Sequence, residues 1–262
     1  VRQDDLRLHE NRVFAESFGS VAEEYDRYRP ALPAALADDL AAAAPERVLD
    51  VACGTGRAAR MLAGRGLSVL GVELDERMAE VARRHGIPVE VSPFETWDAA
   101  GRRFDLITCA SAWHWIQPRA GADKAAELLG PGGLLARFWT YHVLDAPALA
   151  ALDAVYRVHA PELAGRGIGH WRSRALRDDA VAAHPAFGPV EERTYRWEAT
   201  LTADDWARML ATYSSHRERL GPTRLAALQD GVREAITALG GTVHSHGETY
   251  LLLARRADGA RG

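Results

Sequence analysis

The chain has 262 residues, a formal charge of −4 and a pI near 6.2, with 47% hydrophobic and 26% charged residues. These values suit one globular domain with a sizeable core, and the mild acidity argues against a dedicated nucleic-acid binder, which would carry a basic stripe. Of 32 basic residues only Lys124 is a lysine, which excludes a Walker A loop and leaves little room for Schiff-base chemistry.

Two cysteines, Cys53 and Cys109, cannot make a disulfide framework or a zinc site alone. The charged N-terminus lacks an apolar signal core, and no run approaches about 18 uninterrupted apolar residues. A cytoplasmic chain with no membrane partner is expected.

In chain order, Leu32, Leu36 and Leu40 recur at helical spacing, so the alanine-rich run 34–44 reads as a helix stopped by Pro45. A first strand follows at 47–52, then a helix over 57–66. SVLGVE, 68–73, is a buried strand. Asp75 caps a helix to about 85, and Gly86 stops it. Short strands follow at 89–92 and 103–110. Pro118 opens a helix through 129, and Gly130 and Pro131 close it. The fifth strand covers 133–141. Beyond it come a helix over 146–159, a glycine-bearing loop over 161–173 and a strand over 189–198. Thr202 with Asp205 caps the next helix; a further helix over 222–239 and a last strand over 248–256 complete the chain. Strands alternating with helices predict an α/β, doubly wound, mostly parallel Rossmann-like sheet. The single domain divides into an N-terminal segment (1–45), a cofactor-binding core (46–141), a substrate-side insert (142–188) and a sheet-completing part (189–256).

The segment VLDVACGTGRAAR, 48–60, carries most information. A strand runs into Asp50, then Gly54-Thr55-Gly56, then a helix. Such glycines let backbone amides at a helix N-terminus approach a ligand. Glu73 ends the next strand, 17 residues after Gly56, where a carboxylate can accept both hydroxyls of a ribose. The spacing Gly54-x-Gly56-x-x-Ala59 also fits a dinucleotide loop. Asp50, however, stands where a pyrophosphate would sit, and repels it while suiting a cationic group. A cationic nucleoside is therefore expected.

VLDVACGTG, GVELDERM, FDLITCASAWHWI and LGPGGLLARFW, in that order, resemble the class I S-adenosylmethionine-dependent methyltransferases, in particular the small-molecule type 11 group with its trans-aconitate methyltransferase-like members. The N-terminal FGSVAEEYDRYRPALP resembles the same group. The resemblance implies a seven-stranded sheet with an antiparallel last strand, plus helical cap insertions. It implies S-adenosylmethionine as cofactor, S-adenosylhomocysteine as product, and a small organic acceptor. By the same resemblance Ala52, Gly54 and Gly56 face the methionine moiety, and Asp50 faces it through water. Glu73 holds the ribose, Leu74, Phe94 and Glu95 lie near the adenine, and Ala110 and Ser111 border the sulfonium. Tyr25, Tyr28 and Arg29 belong to the segment that closes over the site, Tyr28 on the substrate side.

Acceptor-side candidates follow the strand ends, where doubly wound folds bind ligands. His114 and His142 are candidate bases, and Trp113, Trp139, Tyr141 and Trp171 candidate substrate contacts, Thr140 facing away. His244-x-His246 lacks a third ligand, so no metal is expected. A monomer or homodimer is expected, without nucleic acid. Two other readings stay open: different chemistry on the same cofactor, such as cyclisation or decarboxylation, and a non-catalytic binding module.

Overall fold

The computed structural model describes residue 9 and residues 17–165 and 179–257. In chain order these form α1 (Ala22–Tyr28), α2 (Ala34–Ala42), β1 (Arg47–Val51), α3 (Arg57–Ala63), β2 (Ser68–Glu73), α4 (Glu76–Arg84), β3 (Val89–Val91) and β4 (Phe104–Ala110). Then come α5 (Pro118–Leu128), β5 (Leu129–Tyr141), α6 (Ala146–His159), β6 (Glu191–Thr202), α7 (Ala203–Ala211), α8 (Ser214–Ala238) and β7 (Thr242–Arg255). Short 3-10 turns cover Phe18–Val21, Phe94–Thr96 and Trp113–Trp115.

All seven strands join one sheet in the order β3-β2-β1-β4-β5-β7-β6. The pairs among β1 to β5 are parallel, and β7 runs antiparallel to both β5 and β6. Strand periodicity sorts the apolar residues onto two faces. Val48, Val69, Leu106 and Ala136 pack under α2, α3 and α4. Leu49, Val72, Ile107 and Leu135 face the opposite layer with α5. A third cluster, led by Leu152, Met209, Leu228 and Ile236, joins α6, α7 and α8. The switch in strand order lies between β1 and β4, so the loops after these strands open a crevice at their carboxyl ends.

Caps agree with the residues that suggest them. The Asp75 carboxylate accepts the Arg77 amide at 2.9 Å, and the Thr202 hydroxyl accepts the Asp205 amide at 3.1 Å. Three expected boundaries are corrected. First, β5 begins at Leu129, because the register with β4 shifts between Phe104 and Leu106 and lets Gly130 and Pro131 join the strand. Second, an unexpected helical stretch from Ser214 precedes the expected helix within α8: Gly221, at φ 66° and ψ 174°, breaks the helix, and Pro222 opens its second part as expected. Third, β6 extends to Thr202 and β7 starts at Thr242, whereas β5 stops pairing at Tyr141 opposite Glu248. The surplus forms a two-stranded ribbon beyond the end of β5.

One buried ion pair ties β5 to the segment before β6. Arg137, 1% exposed, makes a two-pronged bond to Asp179 at 2.7 and 2.8 Å.

Candidate active site

β1 delivers the chain into a loop whose backbone is unusual. Ala52, Gly54 and Gly56 have φ of 50°, 57° and 77°. The two glycines are suited to this region, and Ala52 is not. Across the crevice, Ser111 after β4 has φ 54°, and its amide donates to the Phe138 carbonyl at 2.7 Å. Non-glycine residues held at positive φ concentrate at functional sites, and both Ala52 and Ser111 line a cavity at the carboxyl end of the sheet.

Gly54 lies on the cavity wall; Gly56 does not. A Cβ at Gly56 would stand 2.9 Å from the Ala82 Cβ, so Gly56 lets the loop seat against α4. Glu73 organises the floor. One carboxylate oxygen accepts the Gly54 amide at 2.8 Å and the other the Asp75 amide at 3.0 Å. Burial raises the Glu73 pKa, against the pull of the Asp75, Gly54 and Leu74 amides. Each carboxylate oxygen accepts more than one bond, so Glu73 can brace the loop and still hold a hydroxyl pair.

Asp50 is sealed beneath the loop, 0% exposed and off the cavity wall. Its Oδ1 accepts the Thr108 hydroxyl at 2.7 Å, and its Oδ2 is buried without a partner. Burial pushes its pKa to about 7. Asp50 therefore stands behind the loop rather than on the cavity wall. Cys53 is also buried, which raises its thiol well above the ordinary range and leaves it a packing residue beside Gly71.

Leu74, Phe94, Glu95 and Ala110 line the cavity with Met78 and Ile116. Glu95 accepts the Gln117 amide at 2.8 Å, which ties the Phe94–Thr96 turn to α5. The N-terminal segment closes one side through Phe18, Tyr25 and Arg29. Phe18 stacks edge-on against Tyr25 at 5.8 Å and Trp115 at 6.1 Å. The Arg29 guanidinium lies 3.9 Å from the Tyr213 ring centre and 4.8 Å from that of Tyr25, and donates to the Thr212 carbonyl at 2.9 Å. Its Nε–H is buried with no hydrogen-bond partner. Arg57, on the first turn of α3, donates to the carbonyls of Asp26, Arg29 and Pro30 and so fastens this segment to the glycine loop.

Several acceptor-side expectations are corrected. Trp113 is 8% exposed and packs against Phe94 at 6.3 Å and Arg137 at 5.6 Å, while Trp115 faces the cavity. A 3-10 turn has about three residues per turn, so side chains two positions apart diverge. On β5 the alternation runs in the opposite phase to that expected. Thr140 lines the cavity, and Trp139 and Tyr141 pack on the other face. Tyr28 lies against the helical cluster of α6 to α8. His114 is off the cavity wall, its Nδ1 accepting from Trp139 Nε1 at 3.4 Å. Trp171 lies outside the described residues.

His142 sits just past β5, its Nδ1 2.9 Å from the Ser245 hydroxyl and its ring between Trp197 and Trp206. Burial, with the nearby Arg29 charge, lowers its pKa to about 4. Its Nε2 is buried and has no partner. Sequence reasoning missed Thr140 and the fastening role of Arg57. Strand alternation carried a signal for the first, but in either phase; the second depends on a contact 28 residues away.

Residues 48–133 match the methyltransferase domain family. An uncharacterized methyltransferase of Mycobacterium tuberculosis is 36% identical over 131 residues, 49% of this chain and 54% of that protein. The chain thus spans about half the length of the curated relatives of this kind. The ubiquinone biosynthesis O-methyltransferase of Xanthomonas oryzae pv. oryzae is 33% identical over 190 residues, covering 70% of this chain and 72% of that protein. The chain belongs to the class I S-adenosylmethionine-dependent methyltransferases. A solved structure from Anaeromyxobacter dehalogenans, assigned to the type II methyltransferases, shares the fold with a TM-score of 0.57 at 23% identity, covering 88% of this chain and 98% of that one. Among the described residues, no helix is long and apolar enough to cross a membrane.

Proposed function

We propose that the chain binds S-adenosylmethionine in this cavity and transfers its methyl group to a small organic acceptor. The observation that carries the reading is Glu73, whose two oxygens each hold a backbone amide at the cavity floor, beside a loop held at positive φ. Held there by Glu73, Leu74, Phe94 and Glu95, the cofactor would supply an electrophilic methyl group on a sulfonium for in-line displacement, the sulfur leaving with the electron pair of the broken bond.

The chain's own residues then have defined work. Glu73 receives the ribose hydroxyls, and Leu74, Phe94 and Glu95 border the adenine. The unpartnered Nε–H of Arg29 suits the carboxylate of the cofactor's amino-acid end. Tyr25, Phe18 and Trp115 exclude water and offer π faces to a cation, worth about 0.5–2 kcal/mol. Ser111 and Thr140 line the same cavity and would border the methyl group. Alignment of the reacting groups can supply up to about 7–11 kcal/mol. An acceptor hydroxyl or amine needs a base; His142 is neutral near pH 7 with a free Nε2, but it lies off the cavity wall between Trp197 and Trp206, and its lowered pKa makes it a weak base. A carboxylate acceptor needs none. The narrower resemblance to trans-aconitate methyltransferases makes small carboxylic acids the first acceptors to test.

Calorimetry with S-adenosylmethionine and S-adenosylhomocysteine tests the site, with micromolar binding expected. Absence of heat for both at about 1 mM, a binding energy near 4 kcal/mol, would overturn the assignment. Transfer of labelled methyl to a panel of small carboxylates, phenols and amines then identifies the acceptor class.

A further inference from the structure

The spacing His244-x-His246 offers two imidazoles without a third ligand; the register of the β6–β7 ribbon supplies one. Glu198 lies directly opposite His246, and Thr200 opposite His244. Alternation along β7 turns Ser245 inward, fully buried, and both histidines outward. All three potential ligands are exposed on one face, and one ligand atom from each lies within 4.8 Å of the others. His244 Nε2 is 3.8 Å from one Glu198 oxygen, and His246 Nδ1 is 3.6 Å from the other. Ligand atoms around a tetrahedral zinc ion, with bonds of about 2.0–2.2 Å, stand roughly 3.3–3.6 Å apart. The ribbon therefore holds these side chains close to a coordinating arrangement before any ion arrives.

Two neighbours favour the same reading. The His244 Nδ1 is 3.3 Å from the Thr200 hydroxyl oxygen. A bond donated by Nδ1 to that oxygen leaves Nε2 as the lone-pair nitrogen, the atom that faces Glu198. Metal-bound histidines are commonly oriented through their second nitrogen in this way. Arg196, the next cation on this face of β6, lies opposite Glu248 with its Nε at 3.7 Å, which offsets its charge.

We propose that Glu198, His244 and His246 form a surface site for one first-row divalent ion of the zinc type, with water completing the coordination. Two imidazoles and one carboxylate suit zinc, cobalt, nickel or copper, whereas magnesium and calcium require mostly oxygen ligands. The expectation that the histidine pair lacks a third ligand is corrected by Glu198. The ion would clamp β6 to β7 beyond the end of β5, where the chain after β5 touches β7 only through the Leu144–Ser245 bridge and the His246 amide to the Val143 carbonyl. Ser245, between the two histidines, holds His142 from the opposite face, so the clamp also steadies the strand position that fixes His142. The proposal does not depend on the identity of the cofactor or acceptor.

The test uses the full chain without a metal-binding tag, stripped with a chelator, titrated with zinc by calorimetry and with cobalt by visible absorption. One equivalent per chain is expected, bound more tightly than about 10 μM, with a rise in unfolding temperature. The double variant His244→Ala/His246→Ala should lose both the equivalent and the thermal shift. Thr200→Val should weaken binding by about 10-fold while keeping all three ligands. The altered side chains are exposed, so each metal-free variant should unfold at the wild-type temperature. Wild-type binding in the double variant would locate the ion on other histidines and overturn the proposal. Absence of a micromolar site, or half an equivalent per chain, would overturn it equally.

Discussion

Arg57 donates its Nη2 to the main-chain oxygen of Arg29 at 2.7 Å, across 28 positions of sequence. A residue at the foot of the glycine loop thereby holds the backbone of a residue in the cavity's opposite wall. Replacement by methionine keeps most of the apolar stem but removes all three carbonyl contacts. Hydrogen bonds to charged groups are worth about 1.5–3 kcal/mol, some of which water would restore. Arg57→Met should lower stability by about 2 kcal/mol and cofactor affinity by about 10-fold. Denaturant unfolding and calorimetry read the two effects, and unchanged affinity would remove Arg57 from the closing device.

Glu73→Gln should weaken binding of S-adenosylhomocysteine by about 10–100-fold, the range expected for losing a charged acceptor. The neutral amide can still accept one backbone bond, so the fold should survive. Circular dichroism and calorimetry together separate the two outcomes. Full affinity in a folded variant would mean that Glu73 serves only the loop.

Asp50 supplies a prediction with a defined sign. Its folded pKa of about 7 is raised above the ordinary value of 3.8. The folded state therefore holds the proton more tightly, and this contribution is fully present below about pH 4 and lost as the pH rises to about 7. Without ligand, Asp50→Asn should match the wild type near pH 4 and exceed it at pH 8 by about 4 kcal/mol at most. Urea unfolding at several pH values checks this. A gap independent of pH would show that Asp50 does not titrate in this interval.

His142 should stay neutral well below the usual imidazole range, since burial lowers its pKa to about 4. Its unfolded counterpart takes up a proton near 6.5. The stability contributed by neutral burial is present above that value and is lost as the pH falls from there to about 4. NMR of the imidazole resonances, with His142→Gln for assignment, should show no titration between about pH 8 and pH 5. A midpoint near 6.5 would contradict the burial argument.

Asp179→Ala should be among the most damaging single changes. It strands the Arg137 guanidinium, 1% exposed, without its carboxylate. Breaking one side of a buried pair costs about 3–5 kcal/mol. The double variant Arg137→Met/Asp179→Ala should regain much of the loss, which thermal unfolding would detect. Equal damage in both variants would assign the cost to packing around α5.

The parallel half of the sheet was readable because its signals are local. Asp75 caps its own helix, Gly54 and Gly56 announce a positive-φ loop, and Glu73 ends its own strand. What stayed hidden depends on contacts distant in sequence or on phase. Thr140 and Trp139 are adjacent on one strand, and alternation alone says that they oppose each other without saying which meets the cavity. Trp113 and Trp115 presented the same ambiguity in a tight turn. Glu198 became the partner of His246 only through a pairing register spanning 48 residues. Asp50 reads as reaching the cofactor through water, and the Thr108 hydroxyl from the neighbouring strand holds its carboxylate beneath the loop.

The sheet's two rims bear on how copies of the chain could meet. β3 has three residues, and β6 carries Glu191, Glu192, Arg193, Arg196 and Glu198 along its free side. A stub at one rim and charges of both signs at the other both discourage strand addition by a second molecule. Self-association through a continuous intermolecular sheet is therefore guarded against at both ends. Among the described residues, helix faces therefore offer a second copy a better seam than either strand edge.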